Sequence, residues 1–364
     1  MQDQQLNKAE RWIGEYKVLD RLGEGTYSNV FKVIKKNSEL ILALKQIEIC
    51  NFEPKEQHNI LNEVRILSSI DHPNIISYKE SFVDLESKTL NIVTEYADYG
   101  DLFDCIYRFK ELDKPIAERD IWIIVFQILR GLNMLHANQI IHRDLKSANI
   151  FLFSDGSVKI GDMNVATVVK NKNQLATTQT GTPYYSSPEI WEEVPYSYKS
   201  DMWSIGCLVY EMTAQKVPFD AENVYQLMKK ITDGSYEALP KQYSIEITTL
   251  VQLLLSIDPE KRPTCKEILV MDFIKKIERY LEDNYGLKNP EDFQKHTKTM
   301  LCKTIRFDSL EILGEQLKAV KQTQQKCNED STKFAELEEE KQNITDKIQR
   351  RLEKNSYQNK NQNS

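Results

Sequence analysis

The sequence predicts an α+β fold in two lobes: a small strand-rich N-terminal lobe with one key helix, and a larger, mostly helical C-terminal lobe. A tail follows. Three observations carry this. Residues 16–36, YKVLDRLGEGTYSNVFKVIKK, alternate apolar and polar positions on both sides of Gly23-Glu24-Gly25, as two strands joined by a glycine turn do. Residues 117–136 are a long, strongly apolar run of helical length. After Lys275 the composition shifts to Lys, Glu, Gln and Asn, so the folded part is expected over 16–274 and the tail over 275–364. A chain of 364 residues has room for one bilobal domain and an extension.

The remaining elements follow in order. Residues 41–47, ILALKQI, read as a strand, on which Lys45 is either a functional cation or an outward-facing edge lysine. Residues 56–70, EQHNILNEVRILSSI, carry apolar residues at 60, 61, 64, 67 and 70, an amphipathic helix with Glu63 on it. His72-Pro73 stops that helix, and two strands follow, the second over 89–96. Asp101 opens a further helix, GDLFDCI.

The totals exclude several classes. A net charge of −7 implies no broad basic surface, so no nucleic acid is expected as a partner. No apolar run has the length of a membrane span, since residues 121–135 are interrupted by Gln127, Arg130 and Asn133. The polar start MQDQQLNKAERW is expected not to be a secretory signal. Cys50, Cys105, Cys207, Cys265, Cys302 and Cys327 lack paired metal-ligand spacing and read as thiols in a reducing compartment.

The chemistry lies in residues 140–152, IIHRDLKSANIFL, read with Asp162. Ile140, Ile141, Leu145, Ile150 and Leu152 are apolar anchors, while Asp144, Lys146 and Asn149 are polar. Phosphoryl transfer needs a carboxylate to take the hydroxyl proton and a cation on the moving phosphate. It also needs an amide and a second carboxylate to hold magnesium. His-Arg-Asp by itself also suits a surface turn with a local salt bridge. The full spacing His-Arg-Asp-x-Lys-x-x-Asn, however, resembles the catalytic loop of protein kinases. Further kinase-like motifs stand in kinase order over 16–274: Gly23-Glu24-Gly25, Ala43-Leu44-Lys45, Gly181-Thr182-Pro183, Ser187-Pro188-Glu189 and Asp201-Met202-Trp203.

That resemblance implies ATP and Mg²⁺ as cofactors and assigns roles by position. Gly23 and Gly25 would cover the ATP phosphates, and Lys45 would reach the α and β phosphates while paired with Glu63. Val30 and Phe151 would enclose adenine, with Leu22 and Ala43 completing the lining. The backbone of Glu95 and Ala97 would hold adenine, and Thr94 would leave the back pocket open. Asp101 would be either a helix cap or a ribose contact. Asp144 would be the base, Lys146 would neutralise the γ-phosphate, and Asn149 and Asp162 would hold Mg²⁺. Thr182 would brace Asp144 and Lys146, Glu189 would pair with Arg262, and Asp201 would anchor the catalytic loop from below.

Two departures stand out. Ser28 replaces the third glycine of the phosphate loop, and Asp162-Met163-Asn164 replaces Asp-Phe-Gly. Methionine can serve as the apolar plug, and asparagine tolerates a left-handed backbone. HRDLKSANIFL, GTPYYSSPEIWEEVPYSYKSDMWSIGCLVYEM and the threonine-rich span before Gly181 are similar to the NIMA-related kinases. The resemblance implies a protein serine/threonine kinase with a cell-cycle, microtubule or ciliary role. The alternative, motivated by Ser28 and Asn164, is a pseudokinase or nucleotide-binding scaffold. Arg143, read as a partly buried charge beside the base, needs an anion, and phosphorylation at Thr178 is expected to supply it.

In the tail, Leu310, Leu313, Leu317 and Val320 have 3,4,3 spacing, and Phe334, Leu337, Ile344 and Ile348 resume it out of phase. This is either a short coiled coil, through which the chain self-associates or binds a partner, or a solvated or disordered tail. Protein substrates are the expected partners. The expected location is cytoplasmic, with cytoskeletal or ciliary association.

Overall fold

The computed structural model describes residues 10–25, 28–48, 64, 68–84, 87–162, 183–192, 194 and 196–285, the last five by backbone only. The N-terminal lobe is one antiparallel sheet of β1 (Trp12–Ile13), β2 (Tyr16–Gly25), β3 (Ser28–Lys35), β4 (Ile41–Glu48), β5 (Tyr78–Asp84) and β6 (Thr89–Glu95). The spatial order is β1-β2-β3-β4-β6-β5. Alternation sets its inner face, with Phe31 and Val33 of β3 and Leu42 and Leu44 of β4 turned onto Ile13, Tyr16 and Val93. β2 and β3 pair from Tyr16↔Lys35 to Gly25↔Ser28, with register irregularities between Val18 and Asp20 and between Arg21 and Gly23 that bend β2. Of the helix expected over 56–70, Glu63 and Leu67 lie outside the described residues; Val64 is helical and buried.

The C-terminal lobe is built from α1 (Leu102–Glu111), α2 (Glu118–Ala137), the hairpin β7 (Ile150–Leu152) and β8 (Val158–Ile160), α3 (Pro188–Trp191), α4 (Tyr198–Ala214), α5 (Val224–Thr232), α6 (Ile245–Leu254), α7 (Cys265–Leu269) and α8 (Asp272–Tyr285). α2 and α4 are buried on nearly every side, as helices at the centre of a lobe must be. Ser197 and Ser200 close the start of α4 with a capping box. Gly206 lets α4 approach α6, because a Cβ there would lie 2.8 Å from Leu254 Cβ. Gly131 does the same for α2, where a Cβ would lie 2.5 Å from the carbonyl oxygen of Asn74.

The boundary expected at 274/275 falls inside α8. Ile274 is buried, Ile277 still packs on the core, and Phe273 lies 5.2 Å from Trp122 between ring centroids. Apolar packing therefore carries the helix past the compositional shift. The spacings expected to form a coiled coil, at 310–348, lie outside the described residues. No described helix is long and apolar enough to cross a membrane.

Candidate active site

The loop of residues 140–149 is held by α4. Asp201, fully buried, accepts the backbone N–H of His142 at 2.9 Å and that of Arg143 at 3.0 Å, and takes His136 Nε2–H at 2.8 Å. His142 donates from Nε2 to the Gly161 carbonyl (3.1 Å) and accepts the Asp144 N–H at Nδ1 (3.3 Å), so one tautomer ties the loop to the turn before Asp162. Arg143 has φ +70°, a left-handed backbone that these bonds hold in place. The reading of Arg143 as partly buried is corrected: its side chain is exposed, because the burial in this stretch falls to His142 and Leu145 on either side of it.

Three of the expected catalytic side chains converge. Asp144 Oδ2 accepts from Lys146 Nζ at 2.9 Å and from Asn149 Nδ2 at 3.0 Å. Asn149 Nδ2 also donates to the Asp144 carbonyl at 2.7 Å, which commits its amide nitrogen and leaves its oxygen for a cation. Across the cleft Asp162, at φ +49°, forms an ion pair with Lys45. Burial works against ionisation of Asp162, but the ammonium groups of Lys45 and Lys146 outweigh it and hold the carboxyl below the usual range. Gly161 is required here, since a Cβ would lie 2.6 Å from Ile76 and 2.7 Å from Phe151.

Between the lobes is a cleft of about 570 Å³. Its walls include Leu22, Gly23, Gly25, Val30, Ala43, Lys45, Glu95, Ala97 and Phe151, together with Asn149, Asp162 and Thr94. A Cβ on Gly23 would meet no protein atom within 4 Å, so the bare backbone there faces open cleft. Asp101 is the cap of α1, accepting the Asp104 N–H at 2.8 Å, and it also lines the cleft. Burial pushes its carboxyl up to about 6.

Glu63, Thr182, Thr178, Met163 and Asn164 lie outside the described residues. Glu189 and Arg262 meet as expected, at 2.8 Å through both guanidinium nitrogens. Two networks were missed. In one, Glu211 joins Tyr185 (2.5 Å) to Ser147 (3.3 Å) beneath the loop. Burial raises the Glu211 carboxyl above its ordinary range, although both hydroxyls favour the ion. In the other, Lys159 grips the Glu95 carboxylate. A lone lysine within the buried strand Val158-Lys159-Ile160 was the available signal.

The residues present fit Mg-ATP. Magnesium is commonly held by one or two carboxylates with substrate phosphates, and Asp162 and Asn149 offer such a partial set. Gly23 and Gly25 give phosphates access to backbone, and the cleft walls above and below are apolar at Val30, Ala43 and Phe151.

A two-lobed fold with this loop and cleft defines a protein kinase domain, and the protein kinase domain family matches residues 16–274. The chain is 37% identical over 286 residues to the probable serine/threonine-protein kinase nek2 of Dictyostelium discoideum, covering 77% of this chain and 68% of that protein. It is 38% identical over 266 residues to the probable serine/threonine-protein kinase nek3 of the same organism, covering 72% and 24%. Over 268 residues it is 39% identical to the serine/threonine-protein kinase Nek1 of Mus musculus, covering 73% and 22%. The chain belongs to the NIMA-related serine/threonine kinases of the eukaryotic protein kinase family. It spans less than a quarter of the length of two of these relatives.

Proposed function

We propose that this protein is a serine/threonine kinase that transfers the γ-phosphate of Mg-ATP to hydroxyl groups of protein substrates. The observation that carries it is the convergence of Lys146 and Asn149 on Asp144, facing an ionised Asp162 across one cleft. Mg-ATP, when bound, supplies the phosphoryl group and the cation that spreads its charge. Asp144 orients the substrate hydroxyl and takes its proton as the new O–P bond forms and the bond to ADP breaks. Lys146 stands beside Asp144 to neutralise the moving phosphate, and Asn149 and Asp162 hold the cation. Lys45 neutralises the remaining phosphates. Lys146 favours serine or threonine over tyrosine as acceptor by family resemblance.

The scaffold alternative is not favoured, because a module that only binds has no physical need for Lys45, Glu63, Asp144, Asn149 and Asp162 together. The cytoplasmic location, with cytoskeletal or ciliary association, is supported by family resemblance. Cys105, Cys207 and Cys265 are buried free thiols, consistent with a reducing compartment. A tail that self-associates or binds a partner is supported by the leucine spacing at 310–320.

The test is transfer of labelled phosphate from Mg-ATP to a generic acceptor protein, wild type beside Asp144→Asn. The wild type is expected to label serine or threonine, and the variant to lose about 10²- to 10⁴-fold in kcat while still binding ATP. A wild type that binds ATP and transfers nothing would favour the scaffold.

A further inference from the structure

Glu95 ends β6 and begins the connection to the C-terminal lobe. Glu95 lines the cleft, and its carboxylate is engaged by two donors. Lys159 Nζ donates to both carboxylate oxygens at 2.7 Å, and the Ser77 N–H donates to Oε1 at 2.6 Å. The Lys159 ammonium also lies 4.8 Å from the centroid of the Phe153 ring. The pair is largely withdrawn from water, with side chains 11% and 21% exposed.

Of these donors Lys159 belongs to the C-terminal lobe, while Ser77 directly precedes β5 and also accepts the Glu95 N–H at 3.0 Å, so it stays with the N-terminal sheet. Lys159 is the middle residue of β8, opposite Phe151. Residues 74–76 are fastened to β8: Ile76 N–H donates to Ile160 O (2.8 Å), Ile160 N–H to Asn74 O (3.0 Å) and Asn74 Nδ2 to Val158 O (3.0 Å). Gln127 of α2 accepts from Asn74 Nδ2 at 3.0 Å and ties this unit to the core helix. Glu95, in contrast, continues the β4–β6 ladder of the N-terminal sheet, opposite Leu42. Parting of the lobes must therefore strain the bonds between Glu95 and Lys159.

We propose that Lys159 is a positioning residue for the nucleotide, acting through Glu95. The ion pair clamps the last residue of the N-terminal sheet to β8, fixes the hinge backbone against adenine, and limits how readily the lobes part when nucleotide leaves. The inference rests on the nucleotide-binding reading of the cleft and adds a residue that touches neither nucleotide nor reacting atoms. A charged, bidentate hydrogen bond shielded from water resists breaking more than an exposed one, so the clamp slows lobe opening.

The experiment is stopped-flow release of a fluorescent ADP analogue in Mg²⁺, chased with excess ATP, on the full chain. Lys159→Met is expected to release it about 3- to 10-fold faster, as loss of one net hydrogen bond gives. Lys159→Arg, which keeps a bidentate donor, should stay within about twofold of wild type on the same scale. Single-turnover phosphate transfer from pre-bound ATP in Lys159→Met should change by less than about twofold, because no reacting group moves. Lys159→Met leaves Glu95 without its counter-charge; if that variant does not fold, the double variant Glu95→Gln/Lys159→Met removes the orphaned charge while the glutamine oxygen still accepts from Ser77. Wild-type release rates in the folded Lys159→Met or double variant overturn the clamp, as does an equal loss in single-turnover transfer, which signals general damage. A wild type that does not bind the analogue overturns the reading of the cleft itself, and the clamp with it.

Discussion

Arg262 and Glu189, 73 positions apart in sequence, meet through two parallel N–H···O bonds of 2.8 Å in the interior of the C-terminal lobe. The Arg262 side chain is fully buried and Glu189 is 7% exposed. All five guanidinium N–H groups find acceptors, the other three going to the carbonyls of Ser256 (2.7 Å), Lys199 (3.0 Å) and Ile257 (3.0 Å). Ser200 Oγ–H adds a bond to Glu189 at 2.7 Å, and the guanidinium lies 5.0 Å from the centroid of the Trp203 ring.

Removing one partner leaves a buried charge alone. Arg262→Ala is expected to lose about 3–5 kcal/mol in urea unfolding. Arg262→Lys should recover little of it, since an ammonium cannot match the bidentate geometry. Burial opposes the charge on Glu189, but Arg262 and Ser200 outweigh it and lower its folded-state pKa. The stability it contributes is thus full above the unfolded value of about 4.3 and is lost as pH falls through the lower folded value. Glu189→Gln should flatten that acid limb; an unchanged limb would show that other carboxylates set it.

Gly23 and Gly161 both line the cleft and should respond oppositely to alanine. At Gly23 a Cβ meets no protein atom within 4 Å, so Gly23→Ala should keep stability within about 0.5 kcal/mol while raising the KM for ATP. At Gly161 it would press on Ile76 and Phe151, and Gly161→Ala should cost about 1–3 kcal/mol. Thermal melts beside ATP titrations separate the two, and a Gly23→Ala protein with wild-type KM would show that the phosphates do not approach this backbone.

Asp101 gives a pH dependence of the other sign. Burial raises its folded pKa to about 6, above the unfolded value of about 3.9. Its favourable contribution is full below the unfolded value and is lost as pH rises through about 6. On this account the protein is more stable at pH 5 than at pH 7. Asp101→Asn keeps an N-cap acceptor for Asp104 N–H and should remove the slope. Urea midpoints of both proteins at the two pH values decide it; parallel slopes would clear Asp101 of the effect.

Phosphorylation at Thr178 is expected to raise activity. The segment lies outside the described residues, but the proposed donor to its phosphate, Arg143, is exposed beside Asp144 and so open to it. Mass spectrometry after incubation with ATP should find the phosphate, and Thr178→Ala should lower activity. Full activity in Thr178→Ala, with no response of the wild type to phosphatase, would remove the switch from this position.

The catalytic loop, glycine turn, Lys45 and Asp162 were legible in the sequence because they stand at characteristic motif spacing, whereas the Glu189–Arg262 pair was legible only through the family resemblance. The strands and α2 were legible because burial on one face or all round leaves a period in the apolar residues. Neither signal names a partner across the fold. That Lys45 meets Asp162, 117 positions away, was decided only when two lobes closed on one cleft. That Glu95 spends its carboxylate on Lys159, and that Glu211 joins Tyr185 to Ser147, depended likewise on where separate elements pack. Arg143 shows the limit most plainly: it reads as a partly buried charge beside the base, yet on a left-handed backbone whose N–H is held by Asp201 its side chain is exposed. Local sequence sets what each side chain can do, while long-range hydrogen bonds and close packing between distant elements select which groups do it together.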